Sequence, residues 1–211
     1  EILALARNTN TSDLIREASN IRDKGHGSLV TYSPKVFIPL THLCRDVCHY
    51  CTFAKTPKKV SSPYMPLKEV IDSAKNAELL GCKEALFTLG ERPELRYSTA
   101  RKALSNMGFS TTLEYLKEAS KAVIENTDLL PHLNPGCMTS QEIDELRPVA
   151  ASMGMMLESS SKRLCEKGGP HYGSPDKDPE KRLATLDSAG RAKVPFTTGI
   201  LIGIGETRQE R

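Results

Sequence analysis

No stretch of the 211-residue chain approaches the roughly 20 consecutive apolar residues that cross a bilayer, so the sequence gives no reason to expect a membrane protein. The amino-terminal EILALARNTN has no basic region, no long apolar stretch and no small-residue cleavage site, which argues against an export signal and for a cytoplasmic location. An excess of one charge is missing too. The 29 basic and 26 acidic residues leave a net charge of +3 and are interspersed, so no nucleic-acid partner is expected. Low-complexity tracts, identical repeats and an interdomain linker are all absent. With 38% hydrophobic and 26% charged residues, the composition excludes a disordered or collagen-like chain. A chain of this length should bury roughly 70% of its unfolded surface around a genuine core. It begins at Glu1 without Met and stops at Arg211, just as GIGETRQER opens what reads as a helix, so a piece of a longer protein is expected.

What is present is an alternation. Leu14, Ile15, Ala18 and Ile21 recur at helical spacing after the cap-like Asn10-Thr-Ser-Asp13, predicting a helix over 12–23 that Gly25 and Gly27 end. The run Val36-Phe-Ile-Pro-Leu-Thr41 is short, β-branched and apolar, and reads as the first strand. A helix over 67–80 closes on Gly81, and the strand Glu84–Leu89 follows. Further helices are expected near 111–126, 139–152 and from Pro179, with strands at Leu129–Asn134, Gly154–Ser159 and Pro195–Ile204. Strands spaced 25 to 48 residues apart and separated by helices are the rhythm of βα units on a parallel sheet. Periodicity leaves a barrel and a doubly wound sheet both open. In either, the loops after the carboxyl ends of the strands build the site.

After the first strand the chain reads Thr41-His-Leu-Cys44-Arg-Asp-Val-Cys48-His-Tyr-Cys51, the spacing C-x3-C-x2-C. Three of the six cysteines thus crowd into eight residues, and clustering of that kind points to metal rather than to disulfides. Thiolates suit zinc or iron-sulfur clusters, but a structural zinc site wants four closed ligands. No fourth cysteine is near; His42 or His49 could complete a zinc site, though His49 sits awkwardly between two proposed ligands. Three thiolates leave one iron of a cubane cluster open, whereas an electron-carrying cluster normally has four. This spacing, in this loop, resembles the radical S-adenosylmethionine superfamily. That resemblance implies a 4Fe-4S cluster on Cys44, Cys48 and Cys51 and S-adenosyl-L-methionine as cofactor, with Tyr50 packing near its adenine. Cys82 and Cys165 read as small buried hydrophobes, expected well away from the cluster, and Cys137 as structural despite facing the expected site.

The resemblance marks other corners of the site. Leu89-Gly90-Glu91 stands where the superfamily carries Gly-Gly-Glu, with Leu89 in place of the first Gly, and implies that Glu91 accepts the cofactor's ammonium. In isolation it would read as a solvated Glu after a strand. Glu158, expected to point inward from the fourth strand, and nearby Ser160 are implied contacts to the ribose or methionine moiety. Arg182 matches an Arg that biotin-synthase-like members place against the methionine carboxylate; a solvated helical Arg is the alternative. Gly199-Ile-Leu-Ile-Gly203-Ile-Gly-Glu206 resembles the G-x-I-x-G-x-x-E stretch near the adenine, with Leu201 in place of the usual Ile.

The wider wording is similar to the 7,8-didemethyl-8-hydroxy-5-deazariboflavin synthases, in the subunit or half that performs cyclisation. It is carried by VFIPLTHLCRDVCHYCTFAKTP, FTLGERPE, HLNPGCMTSQEIDELRPVAASMGMMLESSSKRL, GGPHYGSPDKDPEKRL and PFTTGILIGIGET. The family implies an α/β fold, a partial TIM-type (βα) barrel of parallel strands over 31–211, incomplete at its carboxyl end, after an N-terminal helical extension over 1–30. The exposed sheet edge of such a piece should make it poorly soluble. The implied reaction is lyase chemistry: a 5′-deoxyadenosyl radical abstracts hydrogen and a 4-hydroxybenzyl-ribityliminouracil adduct cyclises with loss of ammonia. His132, Asn134 and the polar loop His171-Tyr172-Gly173-Ser174 are candidates for holding the uracil or ribityl groups. Implied partners are this small-molecule substrate, an electron donor such as ferredoxin or flavodoxin, and a sister synthase, separate or fused. Other readings are another radical S-adenosylmethionine enzyme, such as the tyrosine-uracil condensing synthase or a biotin-synthase-like enzyme, and a zinc or electron-transfer protein. No catalytic acid or base stands out.

Overall fold

The computed structural model describes residues 2–5, 7 and 10–211. Five strands, β1 (Lys35–Thr41), β2 (Glu84–Leu89), β3 (Leu130–Asn134), β4 (Ser152–Gly154) and β5 (Phe196–Thr197), form one sheet in the order β1-β2-β3-β4-β5. Every adjacent pair is parallel. Among the described residues, α-helices accompany them: α1 (Ile2–Leu5), α2 (Thr11–His26), α3 (Leu67–Leu79), α4 (Ser98–Asn106), α5 (Thr112–Asn126), α6 (Ser140–Leu146) and α7 (Pro179–Arg191).

The strand order settles what periodicity left open. A doubly wound sheet reverses direction part-way through its strand order; here each right-handed crossover steps the same way, which stacks the helices on one face and builds a barrel wall. β1 and β5 are the free edges, so the barrel is partial as expected. On the helix side, Ile38, Leu40, Ala85, Phe87, Leu133 and Met153 pack against Val70 and Ala74 of α3, Leu116, Ala119 and Val123 of α5, and Ile143 and Leu146 of α6. The other face runs in register as Phe37, Leu86, His132, Ser152 and, one step toward the carboxyl ends, Pro39, Thr88, Asn134. It is the barrel's inner face, polar and open, with Phe37 and Leu130 exposed.

Several elements differ from the sequence expectations. α2 runs on through Gly25 to Gly27, whose φ of 59° ends it, and it buries no residue; Ile15 and Ile21 are exposed. α4 falls where no helix was expected, although Ala100 and Leu104 bury one face of it and Gly108 follows. α6 stops at Leu146 because Pro148 offers no amide to continue it, and the chain finishes in a 3₁₀ turn, Arg147–Val149. β4 and β5 are far shorter than Gly154–Ser159 and Pro195–Ile204. Past Gly154 the two segments are joined by the Met155 amide on the Thr197 carbonyl and then by a parallel bridge between Glu158 and Ile200, and Glu158 itself turns to φ 65°, outside the β region. The expected terminal helix is a 3₁₀ turn, Arg208–Glu210. Among the described residues, no helix is long and apolar enough to cross a membrane.

Leu133, fully buried in the central strand, reports the strength of this core. Leu133→Ala should cost ~2–5 kcal/mol, read as a lower denaturant midpoint in the full-length protein at unchanged m-value.

Candidate active site

The site is built where β1, β2 and β3 end. Thr41 closes β1 with its Oγ1 accepting the Leu43 amide at 3.0 Å and donating to the Pro63 carbonyl at 2.7 Å, which turns the chain into the cysteine loop. That loop lies directly on the end of β2. A Cβ on Gly90 would stand 1.9 Å from the Leu43 carbonyl oxygen, so only glycine permits the approach. The contact is then fastened twice: the Arg45 amide donates to the Glu91 carbonyl at 2.7 Å, and the Glu91 amide donates to Cys44 Sγ at 3.2 Å.

Above this junction is a cavity of about 180 Å³. Cys44, Cys48 and Cys51 line it together with Glu91 and Arg182, and Tyr50, Asn134 and Glu158 complete its walls. Donors surround the sulfurs: the Glu91 and Asp46 amides at Cys44, the Ser174 and Tyr50 hydroxyls at Cys48 and the Ala54 amide at Cys51. Burial, reinforced by Asp46, pushes the Cys44 thiol up to about 12, and burial raises Cys48 as well. Metal-free, these thiols hold their protons, and a bound metal displaces them.

Glu91 is buried, its Oε1 accepting the Cys137 amide at 2.5 Å and its Oε2 3.6 Å from Arg182 Nη1. Gly136 makes room for it: at φ 93°, a Cβ there would come within 2.2 Å of the carboxylate. Burial moves Glu91 up to about 7 against the pull of Arg182. Arg182 reaches in from the first turn of α7, donating from Nε to the Met156 carbonyl (2.7 Å) and from Nη1 to the Asp176 carbonyl (2.9 Å). Glu158 pairs with Lys177 at 2.8 Å and leaves the regular strand at its positive φ, correcting its expected place at a strand end. The Tyr50 hydroxyl and His171 Nε2 are hydrogen-bonded at 3.0 Å, and burial lowers His171 to about 4, which keeps the ring neutral.

Other expected site residues stand elsewhere. His132 shares the inner face with Asn134 but lies two residues nearer the amino ends, where Nδ1 meets Ser152 Oγ at 2.7 Å, outside the cavity. His171 lies behind Tyr50 rather than on the wall, and Ser160 is exposed. Gly199, Gly203 and Glu206 do not line this cavity, and the Glu206 carboxylate instead accepts the amides of Gly203 and Ile204 and pairs with Arg211. Cys82 precedes β2 at the far end of the sheet, as expected, whereas Cys165 is near enough to Cys48 for the two thiols to interact electrostatically. Cys137 is buried beside Arg182 and Asp176, in a structural setting.

The segment between β4 and α7 was expected to offer its polar loop His171-Tyr172-Gly173-Ser174 to the substrate; its contacts to the cysteine loop were not foreseen. Its Pro170 carbonyl accepts the His49 amide, Ser174 Oγ accepts the Val47 amide, and Asp176 takes a two-pronged ion pair from Arg45. The Asp176 amide donates to Asp46 Oδ1 at 3.1 Å, while Asp46 Oδ2 is buried without a partner. These contacts span 121 to 131 residues of sequence, and no local pattern announces them.

The donor set fits an iron-sulfur cluster better than zinc. Three soft thiols border one cavity, and neither histidine joins them: His42 turns its Nδ1 to the Phe53 carbonyl, and His49 is exposed and off the cavity. A parallel βα wall with three thiols after its first strand defines a class, and the sequence profile of the Radical SAM superfamily matches residues 38–211. The chain belongs to that superfamily, whose enzymes use a 4Fe-4S cluster and S-adenosylmethionine. It is 52% identical to FO synthase of Mycobacterium tuberculosis over an alignment of 225 positions covering 100% of this chain and 26% of that protein. With 7,8-didemethyl-8-hydroxy-5-deazariboflavin synthase of Methanopyrus kandleri it shares 54% identity over 183 positions, 87% of this chain and 55% of the relative. The chain therefore spans about a quarter of the first relative and about half of the second. Among solved structures, the FeFe-hydrogenase maturase HydG from Carboxydothermus hydrogenoformans aligns with a TM-score of 0.73 at 24% identity, covering 98% of this chain and 45% of that one. Methylornithine synthase (PylB) aligns at 0.71 and 18% identity, covering 99% and 57%. These two share the fold.

Gly90 gives the direct check on the junction. Gly90→Ala in the full-length protein should abolish most iron incorporation during anaerobic reconstitution, whereas Gly190→Ala, on α7 with nothing within 4 Å of the added methyl, should leave it intact.

Proposed function

We propose that this chain is the cofactor-binding part of a synthase that cyclises a 4-hydroxybenzyl-ribityluracil adduct to 7,8-didemethyl-8-hydroxy-5-deazariboflavin with release of ammonia, a carbon-nitrogen lyase. The observation that carries it is the single cavity joining three thiols to the Glu91–Arg182 pair, in a chain more than half identical to a synthase of that name. In this reading Cys44, Cys48 and Cys51 would hold a 4Fe-4S cluster through three thiolates, which leaves a site for the cofactor. When bound, the cluster and S-adenosylmethionine supply one electron and a hydrogen-abstracting adenosyl radical.

The chain's own residues position and shield. Glu91, already oriented by the Cys137 amide, accepts the cofactor's ammonium, and Arg182 beside it suits the carboxylate, so two opposite charges hold one amino-acid moiety at both ends. Tyr50 presents its ring to the cavity with its hydroxyl tied back to His171, which leaves a flat apolar surface for the adenine. Thr88 and Asn134, at the carboxyl ends of β2 and β3, offer polar groups to the uracil or ribityl part of the substrate. Glu158 pairs with Lys177 and holds the opposite wall. A ferredoxin- or flavodoxin-type protein is the expected electron source, and the sister synthase activity, separate or fused, supplies the adduct.

Full-length enzyme, purified anaerobically and given S-adenosylmethionine, a reductant and the adduct, should release the deazaflavin, identified by mass and fluorescence. Consumption of S-adenosylmethionine with no deazaflavin would point to another radical reaction. Glu91→Gln removes one charge-assisted bond and should weaken S-adenosylmethionine binding ten- to a hundredfold, ~1.5–3 kcal/mol, with iron content unchanged. Unaltered affinity with an intact cluster would remove Glu91 from the site.

A further inference from the structure

Each of the three cysteine sulfurs faces a hydrogen-bond donor, but the donors differ in kind. Those on Cys44 and Cys51 are backbone amides, of Glu91 and Asp46 and of Ala54, fixed by the course of the chain. On Cys48 the hydrogen-bonding groups are side chains: the nearby Tyr50 hydroxyl and, from a distant segment, Ser174 Oγ, 3.5 Å from Cys48 Sγ across 126 residues of sequence. Ser174 is 5% exposed and held on every side. Its amide donates to the His171 carbonyl at 3.0 Å, its own carbonyl accepts the Lys177 amide, and its hydroxyl oxygen accepts the Val47 amide at 3.0 Å. Gly173 before it takes φ 80°, where a Cβ would press to 3.0 Å on Val47 Cγ2.

The polarity of the Ser174–Cys48 contact follows from chemistry. A ligated cysteine has no proton, so its sulfur can only accept. The hydroxyl already accepts from Val47 and retains one proton to give. We propose that Ser174 tunes the cluster electronically: its hydroxyl donates to the Cys48 thiolate and thereby raises the cluster's reduction potential. A donor on a thiolate withdraws negative charge, reduction adds an electron, and the reduced state gains more from the bond than the oxidised one. Ser174 is thus a positioning residue that acts through Cys48, within the reading that makes the three cysteines ligands.

The test uses full-length enzyme reconstituted anaerobically as wild type, Ser174→Ala and Ser174→Thr, with iron content measured and the reduced cluster followed by electron paramagnetic resonance during a redox titration. Ser174→Ala should keep its iron while the reduced-to-oxidised ratio at a fixed potential falls by up to about tenfold, equivalent to ~59 mV for one electron. Ser174→Thr, which keeps the hydroxyl, should restore the wild-type midpoint; a loop merely loosened at Val47 would not make the midpoint follow the hydroxyl. Full iron with an unchanged midpoint in Ser174→Ala overturns the proposal. Wild type that takes up no cluster overturns the ligand reading beneath it instead. If Ser174→Ala fails to hold iron, a Tyr50→Phe enzyme with Ser174 intact decides: brief exposure to D2O labels the Ser174 hydroxyl ahead of hydrogen-bonded amides, and electron-nuclear double resonance should show a new deuteron coupling. Its absence counts against Ser174.

Discussion

The whole site depends on how closely two stretches of backbone meet at Gly90. Leu43 and Cys44 lie against it with no room for a side chain, and that approach brings the Glu91 amide to the Cys44 sulfur and the Arg45 amide to the Glu91 carbonyl. Glu91 in turn fills the space above Gly136 and binds the Cys137 amide, so the ends of β1, β2 and β3 interlock through two glycines and one carboxylate. The carboxyl ends of parallel strands are where a barrel gathers its chemistry. Here that general rule is enforced by specific contacts of main chain on main chain.

The second layer is electrostatic. Asp46, Glu91 and Asp176 are buried with carboxylate oxygens within 4.8 Å of one another, an arrangement that self-repulsion would disperse unless cations stood among them. Arg45 pairs with Asp176, and Arg182 stands by Glu91 while donating to two carbonyls. Removing one partner from such a buried network costs far more than the pair contributes net, because it strands the other charge. The same ion pairs that fasten α7 and the segment before it to the cysteine loop therefore leave the cavity wall charged and ordered. Structure and prospective cofactor binding draw on one set of residues.

Much of this was legible in the sequence because it is local. The β-branched run before the cysteines, the C-x3-C-x2-C spacing, the Leu89-Gly90-Glu91 turn and the helical periodicities of α3, α5 and α7 each lie within a few residues, and each is found where expected. Thr111 and Thr139 form capping boxes with Glu114 and Glu142, which is why α5 and α6 start where their patterns begin. What escaped is long-range or conformational. Asp176 matters through a partner more than 120 residues away, Ser174, read in the sequence as a substrate contact, meets Cys48 across a similar span, and Glu158 leaves its strand through a positive φ that a run of apolar residues before it does not reveal. His132 has the right face of β3 but the wrong depth, a distinction that the two-residue alternation of a strand cannot make. The Gly199–Glu206 stretch matched a motif in wording, while the structure turns Glu206 back upon its own loop.

The central claim is that backbone contacts at Gly90 preform the cysteine loop before any cluster is bound. Hydrogen exchange of the metal-free full-length protein, read by mass spectrometry over peptides containing Arg45, Glu91 and Cys137, tests it most directly. Their amides are hydrogen-bonded in the structure, to the Glu91 carbonyl, to Cys44 Sγ and to the Glu91 carboxylate. The account predicts protection approaching that of β2 itself, little changed on cluster loading. Exchange at the rate of an unstructured peptide until iron and sulfide are added would contradict it.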